Sequence, residues 1–401
     1  MTESATKLDT ITVGIVGHID HGKTTLLYKL SGKWTDTHSE ELKRGITIKL
    51  GYADAVVKVE EDGKYTTKKD STGKPARYLT FVDAPGHEML MATMLSGAAI
   101  MDAAILVVAA NEGIKPQTKE HLVALQAKKI KNIIVVQNKI DLVTQEQAIA
   151  NYNKIKEFLK GTIAENSPVI PVSAQQEVNL NKILEELCKI QVPLRNTTDN
   201  PVFLIARSFD INKPGTELTQ LHGGVLGGAL KQGKLKVGDL IEIKPGYSYK
   251  KANQFYYQTV KTKIISIQQG DHKIDEAFPG GSLAIETELD PSLTKADSLS
   301  GCIASHEKSL PEITTEIKIK FNLFPEVFGT GSTEKTGELK TMEMLMLSIN
   351  TSTTVGTVKK IKGNEAELTL KIPIVPLKGD SIGIARNINT HWRLIGVGEI
   401  V

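Results

Sequence analysis

Residues 17–24 read GHIDHGKT, which fits the pattern G-x-x-x-x-G-K-[ST]. The apolar run TVGIV at 12–16 comes directly before it and predicts a buried strand, and a helical pattern follows from 24 to 30. In a turn between a strand and a helix, successive backbone N–H groups point inward, and the helix N-terminus adds partial positive charge. The stretch therefore predicts a phosphate-binding loop, in which Lys23 reaches the β- and γ-phosphates and the Thr24 hydroxyl coordinates Mg²⁺.

The same alternation of strand and helix patterns continues to about residue 195. Runs that are apolar at successive positions are typical of strands buried on both faces of a parallel sheet. Amphipathic helical patterns lie between them, and this order predicts an α/β, doubly wound, mostly parallel fold over residues 1–197. The apolar runs lie at 12–16, 78–83, 104–110, 132–138 and 169–173.

Beyond residue 201 the pattern changes to short alternating strands that are broken by glycine and proline. The segment PLRNTTDNP at 193–201 has the composition of a linker. About two hundred residues with this pattern of short strands and turns are enough for two small all-β barrels. We place these barrels at 198–308 and 309–401, with the junction in the charged, proline-broken stretch at 305–311.

A second loop, Asp83-Ala84-Pro85-Gly86, follows the predicted strand YLTFVD. A carboxylate at the carboxyl end of a strand beside the phosphate loop can hold Mg²⁺ through water, and the Gly86 N–H can bond the γ-phosphate. The D-x-x-G pattern alone is weak. Its position at a strand end, about sixty residues after the phosphate loop, makes it informative.

A third loop, beginning with Asn138 and Lys139, follows the strand NIIVVQN. The Asp141 carboxylate can accept hydrogen bonds from N1–H and the exocyclic amine of guanine, which adenine does not offer. Asn138 is expected to brace the loops, and the Lys139 stem to pack along the base. Ser173 and Ala174, after the strand VIPV, would direct backbone N–H groups to the guanine O6. In isolation each fragment could be an ordinary strand-end loop, but their order and context together predict a guanine-nucleotide site.

The stretch RGITI at 44–48 lies between the first two loops. A threonine here can coordinate Mg²⁺ and sense the γ-phosphate, so that the loop is ordered with GTP and released with GDP. Thr47 is preferred because Gly45 gives the neighbouring backbone freedom. Thr35 and Thr37 are rival candidates, since a hydroxyl is all that this chemistry requires.

His87 directly follows the Asp-Ala-Pro-Gly loop, where a nucleophile would approach the γ-phosphate. Its imidazole can hold a water, so we expect it to orient the attacking water. The alternative is a histidine that caps the helix starting at Glu88. For His18 and His21, inside the phosphate loop, structural roles are at least as plausible.

Length and charge limit the remaining possibilities. The 401 residues are enough for two to three domains with a sizeable core. The chain carries 49 Lys and Arg against 46 Asp and Glu, a formal net charge of +3, which is weak support against a protein that binds nucleic acid by bulk charge.

The sequence also suggests a location. It has no run of 18 uninterrupted apolar residues, and MTESATKLDT lacks the layout of a signal peptide. Cys188 and Cys302 stand too far apart in sequence to suggest a disulfide framework or a metal-ligand pair. We therefore expect a cytoplasmic protein with no membrane partner.

Together, the stretches GHIDHGKTT, RGITI and DAPGH resemble the translational GTPases, the group of elongation factor Tu. Within that group, matches along nearly the whole chain resemble the gamma-subunit family of archaeal and eukaryotic translation initiation factor 2. The stretches that carry this second resemblance are HSEELKRGITIKLGYADA, APGHEMLMATMLSGAAIMDAAILVVAANE, RSFDINKPGT, LHGGVLGG, LDPSLTKAD and SINTSTTVG.

The resemblance implies a P-loop GTPase domain followed by two β-barrels, and GTP and GDP as ligands. It implies a heterotrimer with alpha and beta subunits that delivers initiator methionyl-tRNA to the small ribosomal subunit in the GTP state, with a GTPase-activating partner. It also implies a second magnesium position near Asp20 and the Gly45 carbonyl. Further nucleotide contacts are expected at Asp20, His21, Gly22, Thr25 and Gln175.

The chain departs from this family in one segment. Members commonly carry a zinc knuckle of two Cys-x-x-Cys pairs between the switch loop and the next strand. Here residues 53–78 contain no Cys or His, so the ligands of a tetrahedral zinc site are missing and no zinc is expected. The segment instead predicts a β-hairpin or exposed loop that turns at Asp62-Gly63.

Two other functions remain open at this point. One is delivery of a different charged tRNA, by an elongation factor or a selenocysteine-specific factor. The other is a nucleotide-sensing assembly subunit whose hydrolysis needs a partner.

Overall fold

The computed structural model describes residues 8–35, 50–84, 91–327 and 334–401. The chain divides into two compact units. One comprises Met1–Pro193 together with Glu326–Lys335, and the other comprises Leu194–Pro325 together with Thr336–Val401. The first unit is α/β and the second is built from barrels, as the sequence predicts. The finer boundaries at 197/198 and 308/309 stay a prediction.

The first unit contains a sheet with helices between its strands. Five of its strands run parallel in the order β4-β1-β5-β6-β7, and β2 and β3 add an antiparallel edge next to β4. Its elements are β1 (Thr10–Gly17), α1 (Lys23–Ser31), β2 (Gly51–Val59), β3 (Tyr65–Thr66), β4 (Lys74–Asp83), α2 (Met91–Ala98), β5 (Ala103–Ala109), α3 (Pro116–Ala127), β6 (Asn132–Asn138), α4 (Gln145–Leu159), β7 (Val169–Pro171) and α5 (Leu180–Lys189).

The central strands are continuous apolar runs because both of their faces are covered. Every residue of β5 is buried, as is every residue of β1 after Thr10. β1 lies between β4 and β5, which come later in the chain, so the strand order reverses beside its carboxyl end. Ligands of open α/β sheets bind at such a reversal. The carboxyl ends of β1, β4, β5 and β6 therefore define the edge where the predicted loops meet.

The second unit holds two closed rings of strands. In the first ring the order is β11-β16-β8-β9-β15-β12, and pairing of β11 with β12 closes it. Its strands, with three short ones beside the ring, are β8 (Val202–Phe209), β9 (Val225–Gln232), β10 (Leu235–Lys236), β11 (Leu240–Lys251), β12 (Gln254–Gln269), β13 (His272–Ile274), β14 (Glu276–Ala277), β15 (Leu283–Thr287) and β16 (Ile303–His306).

The second ring has the order β17-β22-β21-β20-β23-β24 and is also closed. Along the chain, a separate two-stranded pair, β18 with β19, comes between β17 and β20. The strands of this ring are β17 (Thr314–Leu323), β20 (Met344–Ile349), β21 (Ser352–Lys362), β22 (Glu365–Ile374), β23 (Ser381–Ile388) and β24 (His391–Ile400). The separate pair, β18 (Glu326–Val327) and β19 (Glu334–Lys335), belongs to the first unit.

Asp380 joins the two rings. Its side chain is only 3% exposed; Lys231 of the first ring donates to Oδ1 at 2.5 Å, and Asn350 of the second ring donates to Oδ2. The buried carboxylate thus has charge-assisted partners on both rings.

None of the helices in the described ranges is long and apolar enough to cross a membrane.

The predicted hairpin after β2 is present. β2 and β3 pair with Val59 opposite Tyr65, and Gly63 takes a left-handed φ of +80° in the turn between them. The loop that follows is held by the ammonium group of Lys58. Its Nζ donates to the carbonyl oxygens of Lys69 at 3.0 Å and Ser71 at 2.7 Å.

We predict that Lys58→Met loosens this loop, because two carbonyl groups lose a cationic donor. The free energy of unfolding should fall by about 1 kcal/mol, and amide hydrogen exchange over residues 67–73 should become faster. Lys64→Met is the matched control in the same hairpin, because the exposed Lys64–Asp62 ion pair should contribute close to nothing. Equal effects of the two substitutions would contradict this role of Lys58. A fall in melting temperature on adding a zinc chelator would contradict the separate expectation that this segment binds no zinc.

Candidate nucleotide-binding site

Two glycines let the backbone turn between β1 and α1. Gly17 ends β1 with a φ of +143°, and a Cβ there would lie 2.4 Å from the Val107 carbonyl oxygen. Gly22 precedes α1 with a φ of +87°, and a Cβ there would lie 2.4 Å from Nδ2 of Asn138. A side chain at either position would meet both a close neighbour and an unfavourable backbone conformation. The loop therefore depends on glycine at both ends.

Lys23 is the first residue of α1 and is only 7% exposed. Its Nζ donates to the carbonyl oxygen of His18 at 2.8 Å, so the side chain folds back across the loop. This position keeps the ammonium group beside the backbone N–H groups that the sequence assigns to phosphate. A phosphate oxygen bound there would be a stronger acceptor than the carbonyl, because the donor and the acceptor would then both be charged.

Asn138 connects three loops. This residue ends β6 and is 2% exposed. Its Nδ2 donates to the carbonyl oxygen of His21 at 2.9 Å, and its Oδ1 accepts from the Ala174 N–H at 3.0 Å. The amide thereby links the phosphate loop, the loop after β6 and the loop after β7.

The side chains expected around the base lie at the same edge of the sheet. Lys139 takes a left-handed φ of +63°, and its Nζ lies 3.9 Å from Oε1 of Glu112. Asp141 is exposed in a short 3₁₀ turn that follows. Gln175, after β7, is exposed as well. The Asp141 carboxylate is therefore accessible to a ligand.

Asp83, at the end of β4, accepts hydrogen bonds from two hydroxyl groups. It is fully buried, and its Oδ2 accepts from Thr24 Oγ1 at 3.0 Å and from Thr35 Oγ1 at 2.9 Å. Gly51 lies opposite Asp83 in the sheet, and a Cβ on Gly51 would lie 2.6 Å from the Cβ of Thr35. The glycine therefore leaves the space that Thr35 occupies. Of the two rival threonines, Thr35 has a described contact at this position.

This donor set fits Mg²⁺. The Thr24 hydroxyl and the Asp83 carboxylate are hard oxygen donors 3.0 Å apart, and Mg²⁺ in nucleotide sites keeps several waters while taking one or two protein ligands and the phosphates. Asp20, which is expected near a second ion, lies in the phosphate loop with a φ of +60°. No cluster of three or more His, Cys, Asp and Glu suited to a metal occurs in the described parts of the chain.

Two histidines lie in the phosphate loop, and a third contacts it from α3. Burial lowers the pKa of His21 to about 4, and its Nδ1 lies 3.2 Å from the Val107 carbonyl oxygen. Burial also lowers the pKa of His18, whose ring lies 5.1 Å from that of His21. On α3, burial lowers the pKa of His121 to about 3, and its Nδ1 accepts from the Gly17 N–H at 2.8 Å. His21 and His121 are therefore neutral at neutral pH, and Lys23 supplies positive charge at the loop.

Sequence reasoning did not identify His121. The residue is 104 positions from its partner Gly17, and nothing in the local pattern of α3 distinguishes it from a packing histidine. The bond of Thr35 to Asp83 was likewise not expected, although Thr35 was a candidate for the magnesium position.

Several expected site residues lie outside the described ranges. They are Thr37, Gly45, Thr47, Gly86 and His87. The described site therefore comprises the phosphate loop, Asp83 and the two loops after β6 and β7.

A phosphate loop, a strand-end aspartate and an Asn-Lys-x-Asp loop at one edge of a doubly wound sheet define a P-loop GTPase domain. The family profile "Elongation factor Tu GTP binding domain" matches residues 8–192. A second profile, "Initiation factor eIF2 gamma, C terminal", matches residues 315–400. The chain is thus a translational GTPase, which binds guanine nucleotide and hydrolyses GTP.

Full-length relatives make the assignment more specific. Translation initiation factor 2 subunit gamma of Methanococcus maripaludis is 51% identical over 99% of this chain and 100% of its own length. The proteins of the same name from Methanosarcina mazei and Pyrococcus furiosus are 51% and 47% identical, over 97% of this chain and 93% and 97% of theirs. The chain belongs to the family of translation initiation factor 2 gamma subunits.

Solved structures share the fold. A bacterial selenocysteine-specific elongation factor superposes with a TM-score of 0.76 at 24% identity, covering 98% of this chain and 58% of that one. Translation elongation factor SelB from Methanococcus maripaludis, in complex with a GTP analogue, gives a TM-score of 0.73 at 24% identity, covering 98% and 79%. At this identity the likeness concerns the fold alone.

We predict that Thr35→Val destabilises the nucleotide-free protein by about 1 to 2 kcal/mol, because a buried carboxylate loses a hydroxyl donor at nearly unchanged side-chain volume. Urea denaturation without nucleotide measures this. Thr35→Ser keeps the hydroxyl and should stay closer to the wild type. A Val variant as stable as the wild type would show that the bond to Asp83 contributes nothing.

Proposed function

We propose that this chain is the gamma subunit of a heterotrimeric translation initiation factor in the cytoplasm. With alpha and beta subunits it binds initiator methionyl-tRNA in the GTP state, brings it to the small ribosomal subunit and releases it after hydrolysis. The observation that carries this proposal is the identity of 51% to named gamma subunits over 99% of the chain.

On the phosphate side, the backbone N–H groups of residues 18–24 cradle the β- and γ-phosphates. Lys23 exchanges the His18 carbonyl for phosphate oxygens, and this exchange costs little because both partners lie at the same loop. The other contacts proposed on this side are Asp20, His21, Gly22, Thr24, Thr25 and Gly86.

On the magnesium side, the Thr24 hydroxyl would bind the ion directly and Asp83 would hold it through water. A bound Mg²⁺ would neutralise the charge that develops on the phosphates during hydrolysis. Thr47 and the Gly45 carbonyl are the further proposed ligands, with Asp20 near a second ion. The Thr24 hydroxyl donates its proton to Asp83, so its oxygen lone pairs would remain for the ion.

The γ-phosphate controls the switch. We propose that Thr47 senses it and that His87 orients the attacking water, with a GTPase-activating partner completing the site. The loop at 44–48 is then held with GTP and released with GDP. A formal net charge of +3 suits this cycle, because tRNA affinity should depend on loop conformation and not on a permanent basic surface.

Base selection depends on Asp141 together with Asn138, Lys139, Ser173, Ala174 and Gln175. We predict that Asp141→Asn lowers GDP affinity by about 100-fold or more, because an amide cannot accept both guanine donors. Xanthosine diphosphate carries a carbonyl in place of the exocyclic amine. It should bind the variant more tightly than it binds the wild-type protein. Asp62→Asn, an exposed carboxylate in the hairpin after β2, is the control. Unchanged GDP affinity in the Asp141 variant would exclude this role.

The decisive experiment compares tRNA ligands in the presence of the alpha and beta subunits. Initiator methionyl-tRNA should bind at least about tenfold more tightly with a GTP analogue than with GDP, and more tightly than elongator methionyl-tRNA. Equal affinity for the two methionyl-tRNAs would overturn the initiation function. Preference for elongator or selenocysteyl-tRNA would support the alternative of an elongation or selenocysteine-specific factor.

A further inference from the structure

The phosphate loop leaves the sheet at Gly17, the last residue of β1. Gly17 lies opposite Val107 of β5, so close that a Cβ would lie 2.4 Å from the Val107 carbonyl oxygen. The orientation of this peptide determines where the following residues of the loop start. A buried N–H group at such a point needs a partner, since an unsatisfied one is costly.

That partner is a side chain from a different part of the fold. The Gly17 N–H donates to Nδ1 of His121, on α3, at 2.8 Å, and the bond is buried. His121 is 1% exposed. An imidazole that accepts at Nδ1 is neutral and carries its proton on Nε2.

The surroundings keep this acceptor available. Burial, together with the nearby positive charge of Lys23, lowers the pKa of His121 to about 3. The lone pair at Nδ1 therefore persists over the whole neutral and mildly acidic range. A histidine that only filled space would not need to direct this nitrogen at a backbone donor.

We propose that His121 is a positioning residue for the phosphate loop, because its Nδ1 fixes the Gly17 peptide from which the loop departs. With this peptide held in place, the N–H groups that follow are oriented before the phosphates arrive, and less order has to be created on binding. The inference rests on the proposed nucleotide site and adds to it a residue from α3, outside the loops that sequence motifs identify.

The test compares two substitutions by the dissociation rate of a fluorescent GDP analogue. His121→Phe keeps an aromatic ring but has no acceptor, and release should become about tenfold faster, the equivalent of one lost buried hydrogen bond. His121→Asn places an amide oxygen near the former Nδ1, and its rate should stay within about twofold of the wild type. If H121F does not fold, His121→Met provides the same comparison.

A second readout concerns the peptide itself. Amide hydrogen exchange at Gly17 in the nucleotide-free protein should be slow in the wild type and in H121N, and clearly faster in H121F. Ile155→Ala on α4, at a fully buried site, is the control for a general loss of stability. It should lower the melting temperature while leaving both GDP release and Gly17 exchange unchanged.

The outcomes distinguish failure of the proposed role of His121 from failure of the proposed nucleotide site. Normal GDP binding by the wild type, with unchanged release and unchanged Gly17 exchange in H121F, overturns the role of His121 alone. Equal behaviour of H121N and H121F, or of I155A and H121F, also overturns it, because ring packing would then explain the effect. Failure of the wild type to bind GDP overturns the proposed nucleotide site and this role together.

Discussion

The proposed nucleotide site depends on the side-chain amide of Asn138. It donates to the His21 carbonyl oxygen at 2.9 Å and accepts from the Ala174 N–H at 3.0 Å. The loops that carry His21, Asn138 and Ala174 follow three different parallel strands, and backbone bonds such as that from the Ile140 N–H to the Val172 carbonyl oxygen add to the link between the last two. Because an amide offers donors and an acceptor in one rigid plane, a single buried residue can connect all three loops.

The sheet makes that connection possible. β1 lies between β4 and β5, and β5 and β6 continue in the same direction, so the carboxyl ends of these strands share one edge. Continuous burial of β1 and β5 shows that both faces of these strands are covered. Around this edge, burial keeps His21 and His121 neutral. The positive charge that faces the phosphates therefore comes from Lys23, from the helix N-terminus and from Mg²⁺ when it is bound.

Much of the fold could be predicted because its signals are local. The phosphate loop is a continuous stretch in which glycine positions and strand-helix context appear together, and the turn at Asp62-Gly63 is equally local. The bond between His121 and Gly17 spans 104 residues and has no counterpart in the local pattern. The contact of Thr35 with Asp83 depends on the space beside Gly51, which exists only when β2 pairs with β4. Such contacts result from strand register and burial.

The sequence by itself determined the class of the protein, the order of its units and the residue types that can bind a guanine nucleotide. It did so because backbone turns, periodicity and hydrogen-bonding chemistry are properties of short segments. Only the tertiary structure decided which distant groups complete the loops: the acceptor for Gly17, the hydroxyl pair at Asp83 and the ammonium of Lys58 over its loop. These depend on distances between segments, and such distances are set by packing of the whole sheet.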